Sequence, residues 1–293
     1  MDPVQPGILA DVPAQARYLT FELAPDTDPG PALHELAGLV DGVDTVVGIG
    51  ASVAMALGRE IPGLRTFPTH TAPGIDVPST PAALWCWLRG DDRGELVHRT
   101  RQIEAVLGNA FRPEDVVDAF RYGSGLDLSG YEDGTENPKD EAALAAGVVR
   151  GAGPGLDGSS FVAVQKWIHD LGHFQSMSPE TRDHTFGRRI SDNEEIDDAP
   201  ESAHVKRTAQ ESFTPEAFVV RRSMPWADAT GEGLVFVSFG KNLDAFEALL
   251  ARMVGAEDGV IDALFGFTRP ATGATFWCPP VVNGRLDLSA LGL

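Results

Sequence analysis

The sequence predicts an α+β protein built from two successive halves of similar size, in which antiparallel strands pack against helices on one face. Three observations lead to this fold class. Strand and helix patterns alternate through the first half of the 293 residues, and regular patterns resume after an interruption rich in Gly, Asp and Pro. In addition, 43% of the residues are apolar, which is enough for a buried core.

The elements of the first half follow from hydrophobic periodicity and from β-branched runs. A Pro- and Gly-rich stretch at residues 62–81 separates two strand–helix pairs from each other. The predicted strands span residues 18–23, 45–49 and 83–90, the predicted helices span residues 32–40 and 95–107, and a further regular segment spans residues 111–121.

The composition changes at residues 123–158, where Gly, Asp and Pro surround a few apolar residues. Loops longer than about 15 residues in a compact domain are usually functional or disordered, so this segment is a candidate for function. We therefore expect an N-terminal half at residues 1–125, a connecting loop at residues 126–160 and a C-terminal half at residues 161–293.

The second half begins with the strand-like run FVAVQKWI and continues through a long polar segment. Ser178 followed by Pro179 is typical of a helix start, with the serine as its cap. The predicted strands span residues 161–168, 217–222 and 234–239, the predicted helix at residues 243–254 is capped by Asn242, and residues 188–211 are expected to be irregular.

The charge of the chain limits its partners. It carries 43 acidic and 23 basic side chains, a formal charge of −20, whereas nucleic-acid binding needs a basic face. No apolar run approaches the roughly 20 residues that span a bilayer, and the N-terminus lacks the pattern of a signal peptide. We expect a cytoplasmic protein that binds neither nucleic acid nor membrane.

Only two cysteines, Cys86 and Cys278, occur in the chain, each next to a tryptophan in a strand-like context. Buried reduced thiols are expected rather than a disulfide or a metal pair.

The pattern G-x-x-D-G occurs three times, at residues 38–42, 130–134 and 255–259, and Asp-Gly by itself usually marks a turn. The middle copy differs because it continues as GYEDGTENP, which places an acidic side chain in a tight loop at the entrance to the second half. This string resembles the signature of the dye-decolourising peroxidases, a family of haem enzymes that cleave peroxide with a distal aspartate.

Three further stretches are similar to that family and occur in the family's order: PESAHVKR, VVRRSMPW and DALFGFTRPATG. The resemblance covers about residues 4–280 and is closest to the compact bacterial type B branch. It implies two ferredoxin-like halves arranged like a dimeric α+β barrel, with haem b held mainly by the second half. It also implies reduction of hydrogen peroxide and oxidation of aromatic compounds, dyes or Mn(II) through a high-valent iron-oxo intermediate.

The resemblance assigns His204, in PESAHVKR, as the axial ligand of the haem iron. A metal-binding histidine usually donates its other ring nitrogen to a carboxylate, which fixes the ring and raises its basicity. The family position of that carboxylate is Asp262, and Glu247, Asp244 and Asp258 are alternatives.

On the distal side the resemblance implies Asp133 as the proton shuttle and Arg221 as the residue that stabilises charge on the departing oxygen. Neighbouring residues of a strand face opposite sides, so only one arginine of the pair enters the pocket, and Arg222 is the alternative. Ser223 is expected on the same side as Arg221. Arg188 is a candidate for contact with a haem propionate.

Two other groups of residues could bind metal. His169 and His173 have the i, i+4 spacing of helical ligands, but His169 follows a strand pattern, so a buried structural histidine and a surface histidine are expected. The acidic run at residues 193–198 is expected to be a solvated loop.

A haem-binding or haem-handling protein with incidental peroxidase activity is the main alternative function, and a haem-free acidic binding module is the third. The resemblance also implies a homo-oligomer.

Overall fold

The computed structural model describes residues 3–72 and 74–293, in which ten strands form one antiparallel sheet that closes on itself and four form two separate two-stranded sheets. The strands in this part of the chain are β1 Gln15–Leu23, β2 Thr45–Ile49, β3 His70–Ala72, β4 Ile75–Val77, β5 Leu84–Gly90, β6 Phe111–Phe120, β7 Ser160–His169, β8 Val220–Arg221, β9 Met224–Asp228, β10 Gly231–Gly240, β11 Thr268–Pro270, β12 Ala274–Cys278, β13 Val281–Val282 and β14 Arg285–Leu286. The helices are α1 Pro6–Leu9, α2 Gly30–Leu39, α3 Ala51–Ala56, α4 Arg93–Leu107, α5 Asp140–Gly147, α6 Leu171–Ser176, α7 Pro179–Phe186, α8 His204–Arg207 and α9 Asp244–Met253.

The sheet closes because β7 pairs with β12 on one side and with β10 on the other. Around the ring the order is β7-β12-β2-β5-β1-β6-β9-β10. The first half supplies β2-β5-β1-β6 and the second supplies β9-β10-β7-β12, so each half has the same strand order and the β-α-β-β-α-β succession of a ferredoxin-like unit. The predicted α+β class with two ferredoxin-like halves is confirmed.

The halves meet at two seams, each of which has a single bridge between strands. Ala119 in β6 pairs with Trp226 in β9, and Ile49 in β2 pairs with Trp277 in β12. Both tryptophans are fully buried, so apolar burial strengthens seams that have few backbone hydrogen bonds. The inside of the ring holds an aromatic core from both halves.

Helices α2 and α4 cover the outer face of the first half with Leu33, Leu36 and Ile103. Helix α9 turns Phe246, Leu249 and Leu250 towards the second half, at the i, i+3, i+4 spacing that places side chains on one helix face. These three residues also line a cavity between α9 and the sheet.

The segment predicted as a strand at residues 217–222 is mostly irregular, since only Val220–Arg221 pairs with β10. The backbone donors of this segment bind elsewhere: the Ala217 amide donates to the Gln210 carbonyl and the Val219 amide donates to the Gln210 side chain. The β propensity of this segment is therefore overridden by the irregular loop beside it.

The predicted connecting loop contains helix α5, which the Gly-rich composition concealed. Strands β9 and β12 also lie outside the predicted elements.

Cys86 and Cys278 are buried free thiols, as expected, and burial raises the pKa of both. In the part of the chain that the structure describes, no helix combines the length and apolar character needed to cross a bilayer.

Candidate active site

The main cavity lies between α9 and the face of β7 and β10, and holds about 1300 Å³ of empty space with its open mouth included. All of its lining residues fall between Asp127 and Thr268, so none comes from the first half. Gln165, Trp167 and His169 alternate along β7 and therefore share the face that points into it.

His204 opens helix α8 and lines the main cavity. Its Nδ1 lies 2.7 Å from Oδ2 of Asp262, whose side chain is fully buried. Because a carboxylate only accepts hydrogen bonds, Nδ1 carries the proton in the neutral imidazole, and Nε2 then has the lone pair. Nε2 has no hydrogen-bond partner among the described residues, so it is free to ligate a metal from the cavity side.

Asp262 is itself held in place, because its Oδ1 accepts a hydrogen bond of 2.9 Å from the Leu264 amide. The alternative carboxylates have other partners. Asp244 and Glu247 bind Arg65, and Asp258 binds Arg207. Among the four acidic residues considered from the sequence, Asp262 is therefore the one that contacts the histidine.

Asp133 and Arg221 both line the main cavity, with 3.7 Å between Asp133 Oδ1 and Arg221 Nη1. This distance is too long for a hydrogen bond, so both groups keep capacity for a ligand. Arg222 turns away from the main cavity, since its guanidinium donates to the carbonyls of Arg221 and Leu9 at 2.9 and 2.8 Å. The structure thus places the first arginine of the pair in the cavity.

Ser223 does not line the main cavity, although Arg221 does. The Ser223 hydroxyl instead accepts a hydrogen bond of 3.3 Å from the Val237 amide, and the residue lines a second cavity. Asp133 and Arg221 stand between the two cavities and line both.

Arg188 lies at the main cavity with its side chain only 14% exposed. Its Nη2 donates to Glu136 and Glu195 at 2.6 Å each, and its Nη1 donates to the Asn193 carbonyl. An anionic group bound in the main cavity would therefore compete with Glu136 and Glu195 for the Arg188 guanidinium.

The acidic run is paired with arginines rather than arranged around a cation. Glu195 binds Arg188, and Glu194 binds Arg189. Within residues 3–72 and 74–293, no group of three or more His, Cys, Asp or Glu side chains is placed to hold a metal ion.

His169 is buried, with Nδ1 2.6 Å from Thr268 Oγ1 and Nε2 3.0 Å from Asp127 Oδ1. His173 lies on α6 at the surface. Burial alone would raise the pKa of Asp127, but the hydrogen bonds from His169 and Ser129 outweigh it, and the pKa lies below its ordinary value. The expected buried histidine and surface histidine are both present.

Sequence reasoning assigned no role to Gln165, Asp127 or the amides of Asn137 and Gln210. Gln165, Trp167 and His169 occupy every second position of a predicted strand, and this period of two could have identified them as one wall of the cavity. Asp127 and the two amides act through contacts distant in sequence, for which the local pattern carries no signal.

Comparison with known proteins identifies the family. A family model described as Dyp-type peroxidase, C-terminal, matches residues 125–283. The dye-decolorizing peroxidase of Brevibacterium linens is 30% identical over 278 residues, which cover 89% of this chain and 76% of that protein.

Solved structures agree over nearly the whole chain. A Dyp-type peroxidase protein from Shewanella oneidensis superposes with a TM-score of 0.91 at 26% identity, covering 99% of this chain and 98% of that one. A variant of Rhodococcus jostii DypB in complex with haem has a TM-score of 0.84 at 26% identity and covers 93% and 95%. Because the family model spans every residue that lines the main cavity and these relatives extend over both halves, this chain belongs to the dye-decolorizing peroxidase family.

Proposed function

We propose that this chain is a haem peroxidase that reduces hydrogen peroxide and oxidises small aromatic compounds, dyes or Mn²⁺. One observation carries the proposal: a single cavity contains both a histidine with a free ring nitrogen backed by Asp262 and the Asp133–Arg221 pair. The first group suits an iron ligand and the second suits peroxide chemistry.

The residues of the main cavity fit haem b. Phe236, Leu249 and Met253 give it apolar walls, which suit a flat macrocycle. Gln165 is 1% exposed and its Nε2 has no partner among the described residues, so a donor is left for a group in the cavity. Arg188 supplies positive charge for a haem propionate, which would replace Glu136 or Glu195 as its ion-pair partner.

The proximal residues hold the iron ligand. His204 would bind the iron through Nε2, and Asp262 would fix the ring orientation and raise the basicity of the imidazole. When bound, haem supplies the iron and porphyrin from which two electrons pass to peroxide.

The distal residues move protons and stabilise charge. The Asp133 carboxylate accepts a proton from one peroxide oxygen and returns it to the other, which leaves as water. Arg221 stabilises the negative charge that develops on the departing oxygen. Its guanidinium is suited to this role because its contact with Asp133 is long and its Nε is buried without a partner in the described chain.

The charge of −20 favours neutral or cationic reductants over sulfonated dyes, because the field of the protein concentrates ions of opposite sign near its surface. This supports Mn²⁺ and uncharged aromatic compounds as reductants.

The experiment has two stages. First, the purified chain is titrated with haem and the Soret band is followed; His204→Ala should lose the spectrum of axial ligation, whereas the surface variant His173→Ala should match the wild type. Second, the ferric protein is mixed rapidly with one equivalent of peroxide. A peroxidase changes its spectrum quickly, and a haem carrier with incidental activity does not. Absence of a Soret band after reconstitution would refute haem binding.

A cytoplasmic location and a homo-oligomeric state are also proposed. The two free thiols support a reducing compartment, and the family resemblance supports the oligomer. Cell fractionation tests the location, and light scattering coupled to size-exclusion chromatography tests the oligomeric state.

A further inference from the structure

We propose that Asn137 and Gln210 are positioning residues that fix the Asp133 loop against the segment carrying Arg221; this inference rests on the proposed peroxidase function. The Arg221 amide donates to Asn137 Oδ1 at 2.8 Å, and Asn137 Nδ2 donates to the Arg221 carbonyl at 2.9 Å. One side-chain amide thus satisfies both backbone groups of Arg221, as a neighbouring strand would.

Gln210 makes a similar connection between the neighbouring residues Glu136 and Val219. Its Nε2 donates to the Glu136 carbonyl at 3.1 Å, and its Oε1 accepts from the Val219 amide at 3.0 Å. The side chain is buried, so these hydrogen bonds are protected from water. Together Asn137 and Gln210, here called the amide clamp, join residues 136–137 to residues 219–221 through four hydrogen bonds.

The clamp matters because Asp133 and Arg221 do little to hold each other. Their side chains are 3.7 Å apart, and neither makes a side-chain hydrogen bond to another residue of the described chain. The separation of the two groups is therefore set by the backbones that carry them. Asn137 lies four residues after Asp133 and binds the backbone of Arg221 directly, so it sets that separation.

The glycine after Asp133 is part of the same arrangement. Gly134 has φ +80, which favours glycine, and a Cβ at this position would lie 2.8 Å from Asn137 Nδ2. The glycine therefore leaves room for the amide that binds Arg221. The proton-shuttle role of Asp133 does not explain why Gly134 and Asn137 follow it in the string GYEDGTENP, and the amide clamp gives both residues a physical role.

Peroxide cleavage needs the proton acceptor and the cation at a fixed separation, and misplacement by about 1 Å can cost a factor of about 100 in rate. Loss of the clamp should slow the peroxide step. It should leave haem binding in place, because Asn137 makes its side-chain hydrogen bonds to Arg221 and not to His204 or Asp262.

The test uses Asn137→Ala in the haem-loaded protein, with Asn242→Ala as the matched control, since the one side-chain hydrogen bond of Asn242 within the described residues is to the Asp244 amide at the entrance to α9. The measurements are haem affinity, the midpoint of thermal unfolding, the second-order rate constant with peroxide, and the dissociation constant of fluoride, an anion that Arg221 should stabilise. For Asn137→Ala we expect a 10- to 100-fold lower peroxide rate constant, weaker fluoride binding and haem affinity within about two-fold of wild type. The control should match wild type.

A double-mutant cycle with Arg221→Leu separates positioning from a general structural effect. If the clamp acts through Arg221, Asn137→Ala has little further effect on the peroxide rate constant in the Arg221→Leu protein. Equal losses in both backgrounds, or an unchanged rate in the single variant, would overturn the proposal. Should Asn137→Ala fail to fold, Asn137→Asp, which keeps the acceptor for the Arg221 amide and loses the donor to the Arg221 carbonyl, takes its place in the same cycle. A wild-type chain that binds no haem or ignores peroxide overturns the proposed function itself, and the clamp's role with it.

Discussion

Replacing Asp262 by asparagine should weaken haem binding through its effect on His204. The carboxylate is fully buried and uses both oxygens, one for His204 Nδ1 at 2.7 Å and one for the Leu264 amide at 2.9 Å. Asparagine has nearly the same size but offers one acceptor oxygen. One of the two donors must then face an NH₂ group.

The expected magnitude follows from two independent considerations. A buried donor left without an acceptor costs about 1–3 kcal/mol. Loss of the carboxylate partner of a metal-binding histidine typically lowers affinity or activity about 10- to 100-fold, equivalent to about 1.4–2.8 kcal/mol. The first cost lowers the stability of the fold with or without haem, so the second range sets the prediction, and the dissociation constant for haem should rise about 10- to 100-fold.

Titration of the cofactor-free protein with haem, followed by absorbance, measures this change. Glu257→Gln is the matched control, because Glu257 forms an exposed ion pair with Arg252 in the turn before Asp262 and should leave affinity unchanged. His204→Ala should have a larger effect than Asp262→Asn. A dissociation constant for Asp262→Asn within two-fold of wild type would refute the role of the carboxylate.

Three further predictions concern charge. Arg221→Leu should lower the peroxide rate constant about 100-fold or more. Arg222→Leu should stay within about three-fold of wild type, because the Arg222 guanidinium binds backbone carbonyls outside the main cavity. Similar losses for the two variants in stopped-flow experiments would contradict this assignment. The pKa of Asp127 is lowered in the folded protein because the hydrogen bonds from His169 and Ser129 outweigh the effect of burial. The ionised carboxylate therefore stabilises the fold at pH values above its ordinary pKa, and this stabilisation is lost as the pH falls through the lowered pKa. The difference in unfolding free energy between wild type and Asp127→Asn, from denaturant titrations, should therefore shrink below about pH 4, and a constant difference would argue against it. Finally, the turnover ratio of cationic to anionic dyes should fall as salt is raised, and a ratio independent of salt would exclude long-range steering.

The sequence predicts the regular elements better than the site. The β-branched run at residues 45–49 predicts β2 with its observed bounds, and all five of its residues are buried in the sheet. The segment at residues 188–211 carries His204 at the start of the one-turn helix α8 but has no sequence periodicity, and only the family resemblance distinguished that histidine. The partners in the site are distant in sequence: His204 and Asp262 are 58 residues apart, and Asn137 and Arg221 are 84 apart. No local pattern encodes such pairs, since they are brought together only by the tertiary fold.

The two seams of the closed sheet bear on whether the halves can exist apart. A separated first half would expose the backbone groups of β2 and β6 as free edges, and a separated second half would expose β12 and β9. Unpaired edges of this kind promote aggregation. Trp226 and Trp277 would also lose their burial against the opposite half. The first half, which lends no side chain to the main cavity, therefore covers the strand edges of the half that does the chemistry, and fragments cut at the connecting loop should be soluble only when co-expressed.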